Sequence, residues 1–156
     1  MKSWNVQLTS RFTDAHRSSY QTSLSEIRSG RKKTHWMWYI FPQIQGLGYS
    51  ASTQYYAIKN ADEARAFLND SYLGGNLIEI SNELLKLQTN DPSSVFYTPD
   101  DLKLRSSMTL FAYVEMNSLF LTKYWRNISK VNQTKELLQF LVKIKHYMTK
   151  IQNSTE

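Results

Sequence analysis

Cysteine is absent from the 156-residue chain, and this absence excludes several kinds of site. No disulfide, cysteine nucleophile, thiolate zinc site or iron–sulfur cluster can form. Histidine occurs only as His16, His35 and His146, without the spacing of a metal site. The chain also lacks the H-E-x-x-H motif of metalloproteases, the nucleophile elbow and the Walker loop. We therefore expect neither a metal nor a cofactor.

Long apolar runs are missing as well. The first residues, MKSWNVQLTSRF, lack the apolar core of a signal peptide. No run approaches the ~20 residues that cross a bilayer. We expect a cytoplasmic protein that does not bind membranes. With 41% hydrophobic and 21% charged residues, a chain of this length can bury a core without covalent staples, so we expect a single domain over residues 1–156.

Positive charge is in excess, with 19 lysines and arginines against 13 aspartates and glutamates and a formal net charge of +6. A field of this sign attracts anions. The partner that it indicates is nucleic acid, a phosphorylated metabolite or an acidic surface, and composition does not choose among them.

The first clear helix is predicted over about residues 8 to 29. Its apolar side chains recur at helical spacing, and Gly30 provides a C-terminal stop with Arg28 in the last turn. The spaced positions are Phe12, Ala15, Ser19, Tyr20, Leu24 and Ile27.

Capping residues mark the start of two further helices. Asn60 followed by Glu63 has the form of a capping box, for a helix that runs through Leu68. Asp70 or Ser71 can cap the next helix, which should extend to about residue 88.

Another helix start lies at Thr98, with Pro99 at the first helical position and Asp100 and Asp101 in the first turn. This helix covers DDLKLRSSMTLFAYVE. A last helix is predicted over about residues 133 to 150. Together these patterns predict an all-α fold, a compact single-domain bundle of about six helices.

Residues 30 to 50, GRKKTHWMWYIFPQIQGLGYS, differ from the predicted helices by combining aromatic, basic and glycine residues. Over residues 31 to 58 we expect a single short helical turn inside a packed, mostly irregular segment, with QIQGLGYSAS, residues 43 to 52, as loop. Trp36, Trp38 and Phe41 offer flat surfaces for stacking, while Lys32 offers positive charge, which suits a ligand with one ring and one anionic group. In the alternative interpretation, Trp36 and Phe41 only fill the core, and His35 is structural.

A second stretch with polar side chains is YTPDDLKLRSSMTLFAY, residues 97 to 113. Helical spacing places Asp100, Lys103 and Ser107 along one face, with Ser106 beside them. Serines and Thr109 in a helix interior need hydrogen-bond partners, so this face favours a polar pocket. The alternative is that Asp100 and Lys103 form an ordinary surface pair.

These two stretches, with YAI at positions 56 to 58 between them, resemble a family catalogued as domain of unknown function 1810. The resemblance covers about residues 8 to 142. It implies a compact, all-helical domain without an established reaction; some members are loosely labelled calpastatin-like, a label that no residue here supports. The chain departs from the family pattern at His16, where glutamine is usual, and at Tyr97, where glycine is usual. Either change would alter the ligand site if that position faces it.

The family's motif positions supply the candidate site residues. In the first stretch they are Lys32, His35, Trp36, Trp38, Phe41, Pro42, Gln43, Gly46, Gly48, Ser50 and Tyr56, and in the second Asp100, Lys103, Ser106, Ser107, Thr109 and Phe111.

We expect binding or sequestering of a small anionic, nucleotide-like ligand, either a nucleotide or an ADP-ribose-type compound, in a basic and aromatic pocket built from both stretches. The alternative is a hydrolase or glycohydrolase that acts on such a ligand. His35 or Asp100 would then be the acid–base group, Lys103 would hold the anion, and Gln43 or Ser107 would orient the substrate. This alternative fails if the two stretches lie on opposite sides of the fold. A second alternative is a nucleic-acid-binding domain that uses the basic surface.

Overall fold

The structure, a computed structural model, describes residues 9–89 and 91–115 of the chain. Within these residues it contains six α-helices and no strand, which confirms the predicted all-α class. The helices are α1 (Asp14–Arg28), α2 (Met37–Ile40), α3 (Ala51–Tyr55), α4 (Ala61–Asn69), α5 (Leu73–Lys86) and α6 (Asp100–Glu115). A π-helical turn, Thr9–Thr13, leads into α1, and a 3₁₀ turn, Pro92–Ser94, precedes α6. The helix predicted over residues 133 to 150 lies outside the described residues.

Helix α1 ends in a Schellman motif. The amide of Gly30 donates to the carbonyl of Ile27 at 2.9 Å, and the amide of Arg31 donates to that of Glu26 at 3.1 Å. Gly30 has φ +86°, a conformation that disfavours residues with a Cβ atom. Gly30 therefore ends α1 as predicted. The chain turns there and continues into the basic and aromatic segment, residues 31 to 50.

The segment between α1 and α4 contains two short helices, α2 and α3, so the prediction of a single helical turn is wrong. Helix α3 forms because the hydroxyl of Ser50 accepts a hydrogen bond from the amide of Thr53 at 3.1 Å, an N-cap within a stretch expected to be loop. A single parallel bridge between Ile44 and Ile58 closes the loop that carries α3.

Helices α4 and α5 begin at predicted caps. The Asn60 side chain accepts from the amide of Glu63 at 2.9 Å. One Asp70 carboxylate oxygen accepts from the amides of Tyr72 and Leu73, at 3.0 and 2.8 Å. Both helices thus start where side chains satisfy their first amides.

The corner between α4 and α5 is tight. A Cβ atom added to Gly74 would lie 1.9 Å from the backbone oxygen of Leu68, whereas one added to Gly75 would meet nothing within 4 Å. Glycine at position 74 is therefore what allows the two helices to approach each other.

The span of α6 agrees with the predicted DDLKLRSSMTLFAYVE, but Pro99 is not its first helical residue. The Thr98–Pro99 peptide is cis, and Pro99 precedes the first helical residue, Asp100. The carbonyl of Pro99 accepts hydrogen bonds from the amides of Leu102 and Lys103, both at 3.1 Å.

The core lies between α1, α4, α5 and α6, with the aromatic segment packed into it. Phe67 is central: its ring lies 5.0 Å from that of Phe12 and 5.4 Å from that of Phe111, measured between centroids. Arg11 and Glu63 form an ion pair that is buried beside this cluster. None of the helices in the described part of the chain is both long and apolar enough to cross a membrane.

His16, one of the two departures from the family pattern, is a core residue. Its Nε2 lies 2.8 Å from the carbonyl oxygen of Tyr39, and its Nδ1 lies 3.1 Å from the side-chain nitrogen of Asn76. Burial lowers the pKa of His16 to about 4, although the Tyr39 carbonyl opposes this shift. A neutral ring that donates from Nε2 and accepts at Nδ1 satisfies both contacts, so His16 joins α1 to α2 and α5.

Candidate functional site

Glu26, in the last turn of α1, anchors the first candidate stretch. Its carboxylate accepts from the amides of Lys33 and Thr34 at 2.8 and 3.1 Å and from the Thr34 hydroxyl at 2.7 Å. It also accepts from the indole nitrogen of Trp36 at 2.8 Å. Burial alone would raise the pKa of Glu26, but these hydrogen bonds outweigh it and lower the pKa to about 2. A fixed negative charge therefore holds residues 33 to 36 in place.

Sequence reasoning missed Glu26. Its signal is positional: Glu26 follows Ser19 by seven positions and so lies on the side of α1 that is predicted to be buried, where an unpaired carboxylate would be costly. A charged residue on a buried face indicates that donors converge on it, but periodicity does not identify the donors.

Lys32 joins the two candidate stretches. Its ammonium group lies 2.9 Å from one Asp100 carboxylate oxygen, and it donates to the carbonyl of Thr34 at 2.7 Å. It also lies 5.1 Å from the centre of the Trp36 ring. Only 8% of Lys32 is exposed. Its ammonium group is therefore surrounded by these three partners, and its ion pair fixes the position of Asp100.

Lys103 occupies the other side of Asp100. Its ammonium group lies 3.3 Å from the second carboxylate oxygen and 5.5 Å from the centre of the Trp38 ring. The Lys103 side chain is 30% exposed, so it is the accessible cation of the pair. The Lys103 ammonium group thus lies beside the half-buried Trp38 indole and next to the Asp100 carboxylate, which also pairs with Lys32.

Lys103 and Trp38 line a small recess. It has room for about one water molecule, with a volume of about 20 Å³. The other lining residues come from α2, α3, the loop between them and the two residues after α3: Met37, Phe41, Gln43, Ile44, Thr53, Tyr56 and Ala57.

A larger, open groove of about 660 Å³ runs along the neighbouring face of α6. It shares Ile44 with the recess. Its other walls are Leu47, Leu102, Arg105, Ser106, Thr109, Leu110 and Tyr113.

Two of the predicted ligand-binding aromatics belong to the core. Trp36 is 1% exposed, and its ring packs edge-on against that of Phe96, 6.1 Å between centroids. Phe41 is fully buried, although it is among the residues that line the recess. Of Trp36, Trp38 and Phe41, Trp38 is therefore the one that is half-buried and lines the recess.

The loop residues Gly46, Gly48 and Ser50 have local structural roles. Gly46 has φ +94° in the turn after Ile44. A Cβ atom on Gly48 would lie 2.6 Å from the Thr53 methyl group, and Ser50 caps α3. These residues shape the loop, whereas Gln43 and Tyr56 line the recess itself.

The three residues of α6 that carry a hydroxyl group, Ser106, Ser107 and Thr109, are divided between the core and the groove. Ser106 and Thr109 line the groove. Ser107 is fully buried, and its hydroxyl has no hydrogen-bond partner in the part of the chain that the structure describes.

His35 and Tyr97 are exposed. His35 lies beside Trp38, 6.4 Å between ring centroids. Tyr97, the second departure from the family pattern, accepts a hydrogen bond from Arg31 Nε at 2.6 Å, and the guanidinium carbon lies 4.1 Å from the centre of its ring. Among residues 9–89 and 91–115, no three histidine, aspartate or glutamate side chains lie together where they could hold a metal ion.

Comparisons with known proteins agree with this architecture. The family model described as "Protein of unknown function (DUF1810)" matches residues 6–141. The crystal structure of the conserved hypothetical protein Rv1873 from Mycobacterium tuberculosis is similar, with 34% identity and a TM-score of 0.69 over 86% of this chain and 96% of that chain. A search of curated proteins found no match.

Proposed function

We propose that this chain, which belongs to the family of proteins of unknown function DUF1810, binds a small anionic, nucleotide-like ligand beside Trp38 and Lys103. The observation that carries the proposal is the position of the Lys103 ammonium group, between the Asp100 carboxylate and the face of Trp38. A ring stacked on Trp38 would place its attached phosphate next to Lys103.

The energies of the two contacts suit reversible binding. Stacking of a base on an aromatic side chain contributes ~1–3 kcal/mol. A hydrogen bond between Lys103 and a phosphate adds ~1.5–3 kcal/mol, because one partner is charged. The Lys103–Asp100 distance is 3.3 Å, whereas the Lys32–Asp100 distance is 2.9 Å. Because its contact with Asp100 is the longer one, Lys103 loses less than Lys32 would when a ligand anion replaces Asp100 as its partner.

The contacts favour binding over hydrolysis. Both oxygens of Asp100 are already in ion pairs, one with Lys32 and one with Lys103. Binding needs only Lys103 and Trp38, whereas hydrolysis also needs an acid–base group directed at the substrate, and both oxygens of Asp100 are directed at lysines. The glycohydrolase alternative, with His35 or Asp100 as acid–base group, therefore ranks second.

The test begins with freshly purified protein, which is denatured so that mass spectrometry can identify any released small molecule. The same preparation is screened for thermal shift with nucleotides and ADP-ribose-type compounds. We expect a bound or stabilising nucleotide in the parent protein. Trp38→Leu, which retains apolar packing but loses the indole, should abolish the effect. Tyr49→Leu is the matched control, because Tyr49 is 92% exposed and lies outside the recess.

Two other outcomes are informative. Conversion of an added compound to product, abolished in Asp100→Asn, would replace the binding proposal with the hydrolase alternative. If no small molecule is released and none shifts the melting temperature, the proposal fails. Nucleic acid would then be tested, with an affinity that falls steeply with salt as the expected signature.

A further inference from the structure

We propose that the groove along α6 is the second compartment of the same site, and that the ligand is a nucleoside diphosphate carrying a further group such as a sugar. In this arrangement the base stacks on Trp38, the phosphate bridge lies at Lys103, and the further group lies in the groove. This inference rests on the proposed function, and it specifies the class of ligand.

The volumes of the two cavities favour a second compartment. The recess beside Trp38 and Lys103, at about 20 Å³, encloses no more than a water-sized group. Sites that enclose small organic ligands usually measure about 300–1,000 Å³. The groove, at about 660 Å³, lies within that range. A ligand held at Lys103 is therefore enclosed only if part of it extends into the groove.

The register of α6 places Lys103 at the boundary between the two cavities. Leu102, Ser106, Thr109 and Tyr113 follow one another at spacings of four, three and four residues, so they form one face of the helix, and all four line the groove. Lys103 lines the recess, yet Ser106 follows it by three residues and is its neighbour on the helix surface. A group bound to Lys103 is thus about one helical turn from the groove.

Ile44 completes the connection. It lines both the recess and the groove, so the two cavities are adjacent at this residue. A ligand that passes over Ile44 reaches from Trp38 to the α6 face without crossing the core.

The groove has mixed chemistry that suits a hydroxylated group. The Ser106 hydroxyl offers a hydrogen bond to a ligand, and the Thr109 hydroxyl, which donates to the carbonyl of Arg105 at 2.8 Å, can accept one. Leu102 and Leu110 offer apolar surface. Sugars present the same two kinds of surface. Arg105 adds positive charge to the lining of the groove, which favours a ligand with an anionic phosphate bridge.

The experiment compares two pairs of ligands by isothermal titration calorimetry with the full chain: ADP with ADP-ribose, and UDP with UDP-glucose. In the parent protein, we expect the conjugate of at least one pair to bind about tenfold tighter or more than its diphosphate. Ser106→Trp, which fills the groove, should reduce this ratio to about one. Thr22→Trp adds the same bulk at an exposed position of α1 and should leave the ratio unchanged.

A second variant covers the case in which Ser106→Trp does not fold. Leu102 is 56% exposed, so Leu102→Ser should fold and should lower the same ratio by removing groove contact. If the diphosphates bind but the conjugates gain nothing, or if the groove variants leave the ratio unchanged, the inference is overturned and the proposed function stands. If neither member of either pair binds, both are overturned.

Discussion

Replacement of Glu26 is expected to destabilise the protein in a way that depends on pH. The pKa of Glu26 is lowered from 4.5 to about 2, because its hydrogen bonds from Lys33, Thr34 and Trp36 outweigh the cost of burial. A carboxyl group with a depressed folded-state pKa stabilises the fold above its unfolded pKa, and this contribution is lost as the pH falls through the folded pKa. The window therefore runs from about pH 4.5 down to about pH 2.

The size of the effect follows from the shift. At 1.36 kcal/mol per pKa unit, ionised Glu26 contributes roughly 3 kcal/mol to the free energy of unfolding at neutral pH. Glu26→Gln keeps an acceptor for Trp36 and the amides but loses the charge, so we expect a loss of about 2–3 kcal/mol at pH 7. Glu26→Ala should cost more, because it leaves the buried indole N–H of Trp36 without its acceptor.

Urea denaturation of the parent protein and Glu26→Gln at several pH values provides the measurement. Because other carboxylates titrate in both proteins, the difference between the two isolates Glu26. That difference should fall to less than half by about pH 3. Asp62→Asn is the control: its side chain is 65% exposed in a pair with Arg65, so it should cost no more than about 1 kcal/mol. Equal stability of Glu26→Gln and the parent at pH 7, or a difference that does not shrink on acidification, would refute this account of Glu26.

Two other predictions test the fold. The pKa of His16 is lowered to about 4 by burial, so the stability that depends on the neutral ring is present above about pH 6.5 and declines as the pH falls toward 4. The parent protein should lose about 2 kcal/mol of unfolding free energy between pH 7 and pH 5 relative to His16→Gln, measured by urea denaturation; parallel pH profiles would contradict a buried neutral His16. Gly74→Ala should destabilise the protein by about 3 kcal/mol, because the new methyl group collides with the Leu68 carbonyl, whereas Gly75→Ala should stabilise it by up to about 1 kcal/mol. Calorimetric melting temperatures decide this, and equal values for the two variants would rule out the tight corner.

The helices could be predicted from the sequence because their signals are local. Asn60 and Asp70 cap the helices that follow them, and Gly30 ends α1, as the cap patterns predict. Such contacts join residues a few positions apart, so the order of residue types is enough to anticipate them. Helix α3 was missed because its only local signal is the Ser50 cap, in a stretch rich in glycine and polar residues.

The roles of individual site residues could not be predicted, because they depend on contacts between distant parts of the chain. Lys32 and Lys103 both read as cations of one site, but only the packing of the loop against α6 shows that Lys32 is buried in its pair with Asp100. Trp36 and Trp38 stand two positions apart, and the short helix α2 places the first in the core and the second beside the recess. The juxtaposition of the two stretches, on which the enzyme alternative depended, is present in the Lys32–Asp100 pair.

The groove was not anticipated as one surface. Helical spacing predicts one face with Asp100, Lys103 and Ser107, and with Ser106 beside it. In the fold, Ser106 and Thr109 line the groove, whereas Ser107 is buried. Helical spacing gives the faces of an isolated helix, and it does not reveal which face the rest of the fold leaves open.

The central claim is that Lys103 binds the anionic group of a nucleotide-like ligand, and titration calorimetry with ADP at fixed ionic strength tests it most directly. Lys86→Met is the matched control, because it removes the same charge from a lysine whose side chain is 70% exposed on α5. Saturable binding to the parent protein, weakened about tenfold or more in Lys103→Met and unchanged in Lys86→Met, is the result that the account predicts. No binding, or equal weakening in the two variants, would contradict it.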